Sequence, residues 1–177
     1  MNAAQLFTES FHRVRELVAG VVDGLTPEEL AHRVDAEANS IAWLVWHLSR
    51  VQDDHIAAAA EALGRSGSTE QVWLSDDFVR RFDLPFAKTA TGYGQSSADV
   101  AKVTGWSGPL LAEYHDAVHA RTVSFLEGLS EDDYDAVVDE HWDPPVTLGV
   151  RLVGVLGDTT QHVGQAAFVR SVVERAR

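Results

Sequence analysis

The sequence has no cysteine and almost no lysine. The absence of thiols among its 177 residues excludes disulfides, thiolate metal ligands and a cysteine nucleophile. Lysine occurs only as Lys88 and Lys102, and 14 Lys and Arg residues stand against 27 Asp and Glu residues, for a formal net charge of −13. Because nucleic acids and anionic membranes attract clustered basic side chains, the sequence predicts neither as a partner.

Long hydrophobic runs are absent as well. The first ten residues lack the basic and apolar regions of a signal peptide, and no run of ~18 uncharged apolar residues indicates a membrane span. The hydrophobic fraction of 45% and the charged fraction of 23% are ordinary for a globular protein. We therefore expect a single helical-bundle domain over residues 1–177, located in the cytoplasm.

Helical periodicity is the strongest pattern that the sequence does contain. Apolar residues recur at three- and four-residue steps in four long segments. These segments cover approximately residues 3–22, 39–63, 107–126 and 147–173. Ser40 and Thr147 are suitable N-caps, and Thr26-Pro27 predicts one further short helix. Regular strand alternation is missing, so the pattern predicts an all-α protein.

The connection between the second and third segments runs from Gly64 to Trp106. It is far longer than the ~2–8 residues that usually join bundle helices. Its apolar clusters indicate that it is packed, and short helices are expected near residues 76–81 and 98–103. Gly92 and Gly94 are interpreted as loop glycines. The predicted architecture is a four-helix bundle with a long crossover connection between helices two and three.

The fourth segment places a carboxylate and an imidazole on one helix face. Asp158 and His162 are four positions apart, so they project from nearly the same side, one turn apart. Burying an unpaired carboxylate is costly, and Asp158 is the one acid that we expect inside the fold, beside a cation or several donors. Four glycines of this segment favour close helix packing, with room for a bound molecule as the alternative: Gly149, Gly154, Gly157 and Gly164.

His47 lies among large apolar residues of the second segment. A lone histidine there is typical of a hydrogen-bonded core residue. Together with Asp158 and His162, it makes a three-ligand metal site between two helices a competitive interpretation. Asp54, seven positions further on, returns to within ~20° of the same face. His55 could line the same cavity, and its role stays open.

A rival histidine pair lies on the third segment. His115 and His119 have the i, i+4 spacing that suits zinc or nickel. Several charged neighbours predict instead that this pair lies on a solvent-exposed face: Glu113, Asp116 and Arg121.

Sequence patterns for a nucleophilic serine elbow, a phosphate-binding glycine loop or a dinucleotide site are missing.

Two stretches resemble the DinB-like four-helix-bundle superfamily. They are Asn39–Leu48 with Gln52–His55, and Asp158–Arg170. The similarity is closest to the actinobacterial branch of mycothiol-dependent S-transferases, which are relatives of bacillithiol transferases and of mycothiol-dependent maleylpyruvate isomerase. It extends over essentially the whole chain.

The resemblance implies a divalent metal held by His47, Asp158 and His162. Zinc is expected first, with nickel, manganese or iron as alternatives. Many relatives have histidine at the position of Asp158, which leaves the identity of the metal open.

The resemblance also implies a metal-dependent thiol transferase. A thiol bound to a divalent cation loses its proton, and without a cysteine in the chain the thiol must be a small molecule, which the resemblance identifies as mycothiol. The hypothesis is that a metal-bound thiolate attacks an electrophile. Arg151 and Gln165 are candidates for orienting the ligands, although a structural salt bridge would explain Arg151 equally well.

Three other functions stay open from the sequence. They are a non-catalytic, stress-related metal-binding bundle, a mycothiol-dependent isomerase and an Fe(II)-dependent enzyme, since two histidines and one carboxylate also suit Fe(II). A homodimer through an exposed helix face is also left open.

Overall fold

The computed structural model describes residues 1–65, 67 and 69–177. Its helices, in chain order, are α1 (Ala3–Val22), α2 (Pro27–Leu30), α3 (Ile41–Ala62), α4 (Val72–Ser75), α5 (Phe78–Phe82), α6 (Ser97–Val100), α7 (Gly108–Glu127) and α8 (Leu148–Arg175). A 3-10 helix (Glu131–Asp135) and two antiparallel strands, β1 (Val137–Asp139) and β2 (Val146–Thr147), lie between α7 and α8. Helices α1, α3, α7 and α8 form the bundle, which confirms the all-α fold class.

The long helices begin where their capping residues predict. The Ser40 side chain accepts a hydrogen bond from the backbone N–H of Trp43 at the start of α3. Thr147 caps α8 in the same way, which satisfies N–H groups that have no partner within a helix. Helix α8 differs from the predicted segment at its C-terminal end, where it continues beyond Val173 to Arg175.

Helix α3 is enclosed along its first half. Every residue from Ile41 to Asp53 is buried, because α3 packs against α7 and α8 while α4 of the crossover connection covers a further side. A helix buried all round is normally apolar all round. Helix α3 instead carries His47, Arg50 and Asp53 into the interior, where each must find polar partners.

The crossover connection is held on the bundle by an aromatic cluster. The indole of Trp73 contacts the rings of Trp46 and Tyr114, and Phe82 contacts Tyr114 and Trp106. The two short helices expected here are present as α5 and α6, and α4 is an additional one. The prediction that this connection is packed is confirmed for its described residues.

Arg50 ties the crossover connection to α3. Its Nε donates to the carbonyl of Ala90 at 3.1 Å, and one terminal nitrogen donates to Oε1 of Gln71 at 2.9 Å. The other terminal nitrogen lies 3.4 Å from Oδ2 of Asp53. The guanidinium also lies over the ring of Trp73, with Cζ 5.1 Å from the ring centroid. The connection therefore has a fixed position above α3.

Asp53 completes this network and is the acid that the sequence analysis missed. It accepts hydrogen bonds at 2.8 Å from the backbone N–H groups of Val72 and Trp73, and at 3.0 Å from the hydroxyl of Tyr114. Burial raises the pKa of Asp53, while the two backbone hydrogen bonds and Arg50 oppose that shift. The expectation that Asp158 is the one acid inside the fold is therefore wrong.

Three of the four glycines of α8 do not serve close helix packing. A Cβ at Gly154, Gly157 or Gly164 would have no neighbouring atom within 4 Å, whereas one at Gly149 would lie 3.2 Å from the carbonyl oxygen of Tyr134. The packing interpretation is thus wrong for the first three and holds for Gly149. Open space borders α8 at these positions.

Two further features complete the fold. The hairpin of β1 and β2 has strands of three and two residues, which are too short to show the alternation by which strands are recognised. Within the described part of the chain, no helix has the combined length and apolarity that crossing a bilayer requires.

We expect replacement of Asp53 by alanine to lower the free energy of unfolding by about 3–5 kcal/mol, because Arg50 would be left buried without its anionic partner. Urea denaturation measures this loss. Glu113→Ala is the control, since Glu113 pairs with Arg81 at an exposed site and such pairs contribute at most about 1 kcal/mol. Equal losses in the two variants would contradict a stabilising role for the buried network.

Candidate metal centre

Three side chains from two helices converge beside the crossover connection. Helix α3 contributes His47, and α8 contributes Asp158 and His162. One nitrogen or oxygen atom from each lies within 4.8 Å of the other two, and the two imidazole centroids are 4.7 Å apart. Among the described residues, this is the only group of three or more His, Asp or Glu side chains that meets at such distances. The spacing allows one divalent ion to contact all three.

His47 is held in one tautomer by the crossover connection. Its Nδ1 lies 2.5 Å from the carbonyl oxygen of Thr91, and because a carbonyl can only accept, Nδ1 carries the proton. Nε2 therefore keeps a free lone pair, as in many metal-ligating histidines. The ring stacks on Trp43 at 4.6 Å. Burial lowers the pKa of His47, with the Thr91 hydrogen bond opposing, so the imidazole is neutral at neutral pH.

His162 has the same arrangement within its own helix. Its Nδ1 lies 2.8 Å from the backbone carbonyl oxygen of Asp158, so Nδ1 again donates and Nε2 keeps its lone pair. Burial lowers the pKa of His162, but the contacts with the carbonyl and carboxylate of Asp158 outweigh burial and leave the pKa raised. The second proton of the imidazolium is taken up at Nε2, so a cation binding at Nε2 would compete with that proton.

The Asp158 carboxylate has an unsatisfied oxygen. Its Oδ2 is buried and has no hydrogen-bond partner among the described residues. His162 Nδ1 lies 3.4 Å away, but its proton is directed at the closer backbone carbonyl. Burial raises the pKa of Asp158, while His162, His47 and His55 outweigh burial and lower it overall. An ionised, unpartnered oxygen beside the Nε2 atoms of two imidazoles is a donor set that fits a divalent cation.

Gly92 allows the crossover connection to approach His47. Its φ of +96° lies in the left-handed region, and a Cβ there would lie 2.6 Å from His47 Nδ1 and 3.1 Å from the rings of Trp43 and Trp46. Only glycine fits this position without displacing the imidazole. Gly92 is thus a loop glycine, as predicted, and it also makes a close contact with His47. A glycine between polar loop residues gave no signal of this contact in the sequence.

Three adjoining pockets surround the cluster. The metal pocket, of about 300 Å³, is lined by His47, Asp158 and His162 together with Tyr93 and Asn39. Two neighbours share part of this lining. The Arg151 pocket, of about 340 Å³, shares Asp158 and Tyr93 and includes His55, Trp142, Val150, Arg151 and Gly154. The Gln165 pocket, of about 530 Å³, shares Asn39 and includes Val34, Leu44, Gly164, Gln165 and Phe168.

The two predicted ligand-orienting residues lie in these neighbouring pockets. Arg151 donates to Oδ2 of Asp139 at 2.6 Å, and its other terminal nitrogen lies 3.4 Å from Nδ1 of His55. Burial and the nearby Arg151 charge lower the pKa of His55. Gln165 is exposed. The expected salt bridge of Arg151 is thus present, and whether either side chain contacts a ligand stays a prediction.

Asp54 does not join the cluster. Its Oδ1 accepts a hydrogen bond at 2.7 Å from Nε2 of Gln71, which connects it to the network of Arg50. Helical spacing alone places Asp54 near the face of His47, but it cannot show that the side chain has Gln71 as its partner.

The rival pair on α7 is buried, so the prediction of a solvent-exposed face is wrong. His115 and His119 are only 1% and 7% exposed, because at ~100° per residue they lie across the helix from Glu113 and Arg121. His115 Nδ1 is 3.0 Å from Oγ of Ser49. Burial lowers the pKa of His115 to about 3 and that of His119 to about 4, so both are neutral near pH 7.

Comparison with known proteins places the chain in a family. A family model described as the DinB superfamily matches residues 10–166. A crystal structure described as the conserved protein of locus from Enterococcus faecalis is 31% identical, with 98% of this chain and 98% of that chain covered and a TM-score of 0.85. No curated protein matches the chain significantly. The match extends to the superfamily, and the mycothiol-dependent branch stays a prediction.

We expect Gly92→Ala to weaken binding of a divalent metal by about 10- to 100-fold, the usual cost of disturbing an outer-shell contact of a ligand. The added methyl group would displace the His47 imidazole from the carbonyl of Thr91. Competition with a fluorescent zinc chelator measures the affinity. Gly94→Ala is the matched control, because Gly94 also has a positive φ of +68° but no atom within 4 Å of its Cβ. Equal weakening would refute the steric explanation.

Burial of His115 and His119 should make the stability of the fold depend on pH. Unfolded histidine takes up a proton near pH ~6.5, whereas the folded-state pKa values are about 3 for His115 and about 4 for His119. Between these limits the unfolded state binds more protons. The free energy of unfolding should therefore fall as the pH drops below ~6.5, by up to ~1.4 kcal/mol per pH unit for each histidine.

Urea denaturation of His119→Gln against the wild type tests this expectation. The variant should show the shallower dependence on pH between ~6.5 and ~4, because glutamine does not titrate there. His32→Gln, which alters an exposed histidine, should keep the slope of the wild type. Parallel profiles for wild type and His119→Gln would contradict the pKa of His119.

Proposed function

The chain belongs to the DinB superfamily, and from that premise we propose that it is a divalent-metal-dependent transferase that conjugates a small-molecule thiol to an electrophile. Members of the superfamily often bind a divalent metal, and some are metal-dependent enzymes. One observation carries the proposal. His47, Asp158 and His162 lie within 4.8 Å of one another in a pocket open to solvent, with an unpartnered carboxylate oxygen among them.

The donor set suits catalysis better than a closed structural site. Two neutral imidazoles and one carboxylate reduce a divalent ion to a net charge of about +1 and provide only three protein ligands, which leaves coordination positions for another molecule. When bound, the metal would supply the Lewis acidity that lowers the pKa of a coordinated thiol. Zinc is the first candidate, with nickel, manganese and iron as alternatives.

The residues around the metal have positioning roles. The Nδ1–H groups of His47 and His162 donate hydrogen bonds to backbone carbonyl oxygens, so each imidazole would present Nε2 to a metal ion. Trp43 packs against His47 and limits the access of water from that side. Gln165, in the pocket that shares Asn39 with the metal pocket, has an amide that can donate and accept hydrogen bonds with the remainder of the thiol.

The proposed transfer step needs no further cofactor. The thiol loses its proton to solvent, and a sulfur electron pair forms the new sulfur–carbon bond. In a substitution, the leaving group departs with the electron pair of the bond that it breaks. Because the chain has no cysteine, the sulfur comes from outside, and the resemblance of Asn39–Leu48 and Asp158–Arg170 to mycothiol-dependent S-transferases makes mycothiol the first thiol to test.

The decisive experiment combines metal analysis with a conjugation assay. Purified protein should contain one divalent metal per chain and accelerate the reaction of mycothiol with monochlorobimane, more than that of bacillithiol or glutathione. His162→Ala should lose the metal and more than about 100-fold of the rate, because outer-shell changes alone cost ~10- to 100-fold in affinity or activity. His32→Ala, at an exposed position, should retain both.

Each contrary result has a defined meaning. Unchanged metal content in His162→Ala would exclude the assigned site. Stoichiometric metal without turnover of any thiol would exclude the transferase and favour the non-catalytic metal-binding bundle. Oxygen consumption that requires added iron, with no thiol conjugation, would favour the Fe(II)-dependent enzyme that the same donor set suits.

A further inference from the structure

The Arg151 pocket has the features of a ligand site, yet the metal chemistry above does not use it. Most of its lining is apolar, with His55, Arg151 and Asp158 as its polar groups. It meets the metal pocket at Asp158 and Tyr93, which line both. Concave, largely apolar pockets with a few convergent polar groups are the usual form of small-molecule sites.

Two exposed aromatic residues border this pocket. Tyr93 is 82% exposed and Trp142 is 64% exposed, and both belong to its lining. Val150, which is 61% exposed, lines the same pocket, and apolar surface gathered around one cavity is typical of ligand-binding grooves. The flat faces of Tyr93 and Trp142 favour a planar, apolar ligand, on which aromatic rings can stack.

The polar end of the pocket is built to donate hydrogen bonds. Arg151 uses one terminal nitrogen for Asp139 and points the other at Nδ1 of His55, and among the described residues the guanidinium has no further partner. Because arginine has five N–H donors and no acceptor, Nδ1 of His55 is the acceptor of that contact and Nε2 of His55 carries the ring proton. Both side chains therefore offer N–H groups.

The charge distribution favours an anion at this end alone. The chain has a net charge of −13, so its surface repels anions in general. One terminal nitrogen of the recessed Arg151 guanidinium is paired with Asp139, and its remaining N–H groups can donate to one further carboxylate. At the other end stands the carboxylate of Asp158, which disfavours a second anionic group there.

We propose that the Arg151 pocket binds the electrophilic substrate as a small, flat, apolar molecule that carries one carboxylate. The carboxylate lies against Arg151 and Nε2 of His55, the apolar body lies against Trp142 and Tyr93, and the opposite end reaches Asp158, beside the metal ligands. That the ligand is the electrophile rests on the proposed function. That it is a planar carboxylate rests on the pocket itself.

Gly154 offers a way to close this pocket without damage to the fold. It lies on the wall formed by α8 and has no atom within 4 Å of a Cβ. Leucine there would project into the cavity and also replace glycine by a better helix former. Gly20→Leu is the matched control, because Gly20 lies within α1, also has a free Cβ position and lines none of the three pockets around the cluster.

The first measurement is binding, by isothermal titration calorimetry on the zinc-loaded protein with no thiol present. The probes are 4-chloro-3-nitrobenzoate and its neutral amide, 4-chloro-3-nitrobenzamide, which have the same ring. The carboxylate should bind at least about ten-fold more tightly, the effect of about one charge-assisted hydrogen bond. Gly154→Leu should weaken binding of both probes by at least ten-fold, and Gly20→Leu should leave both unchanged. Equal affinity for the probes, or unchanged binding in Gly154→Leu, would overturn the proposal.

Arg151→Gln isolates the charge. Its preference for the carboxylate over the amide should fall to about one, while its affinity for the amide stays within about three-fold of wild type. The retained affinity for the amide shows that the pocket survives the loss of the Asp139 contact. A carboxylate preference that persists in Arg151→Gln would overturn the assignment of Arg151.

The second measurement separates this inference from the proposed function. With mycothiol, the carboxylate probe can react by substitution: a sulfur–carbon bond forms, the carbon–chlorine bond breaks, chloride leaves with the electron pair and the thiol proton goes to solvent. Gly154→Leu should lower kcat/KM for this probe at least ten-fold without loss of bound metal. Binding without thiol conjugation would refute the transferase alone, whereas conjugation unaffected by Gly154→Leu would refute the substrate site alone.

Discussion

Two side chains of α3 donate hydrogen bonds to successive carbonyl groups of the crossover connection. Arg50 binds the carbonyl of Ala90, and His47 binds that of Thr91. Because α3 is enclosed by other helices, neither polar group could be buried without these partners. The same two contacts fix the loop against the bundle and the imidazole against the loop. The position and tautomer of His47, and the wall of the pocket beside it, depend on this pairing of one helix with two adjacent backbone carbonyls.

Asp53 and Asp158 differ in how many hydrogen-bond donors surround their carboxylates, and the chemistry of the site depends on this difference. Asp53 has a full set of donors from two backbone N–H groups, a tyrosine and an arginine, and it stabilises the fold. Asp158 retains a buried oxygen with no partner among the described residues, which makes it available to a cation. The two aspartates thus differ in the donors that surround each carboxylate, and this difference is the reason why we propose Asp158, and not Asp53, as a metal ligand.

The sequence predicts what is local and misses what depends on tertiary contacts. Helix limits follow from periodicity and from caps such as Ser40 and Thr147, and the spacing of Asp158 and His162 places them on one face. The burial of His115 and His119, the partners of Asp53 and the contact beneath Gly92 arise between segments far apart in the chain. Charged neighbours in sequence predict solvent around the α7 histidines, but Glu113 and Arg121 lie across the helix from the buried pair.

The hydrogen bond between His47 and Thr91 has a kinetic consequence. A loop that opens locally, as connections between stable elements do, would remove the acceptor that holds the imidazole proton on Nδ1. The ring would then be free to rotate and release a coordinated ion. The rate of metal exchange would thereby report on local opening of the crossover connection. An ion bound at Nε2 would in turn favour the closed loop, because it would fix the ring that donates to Thr91.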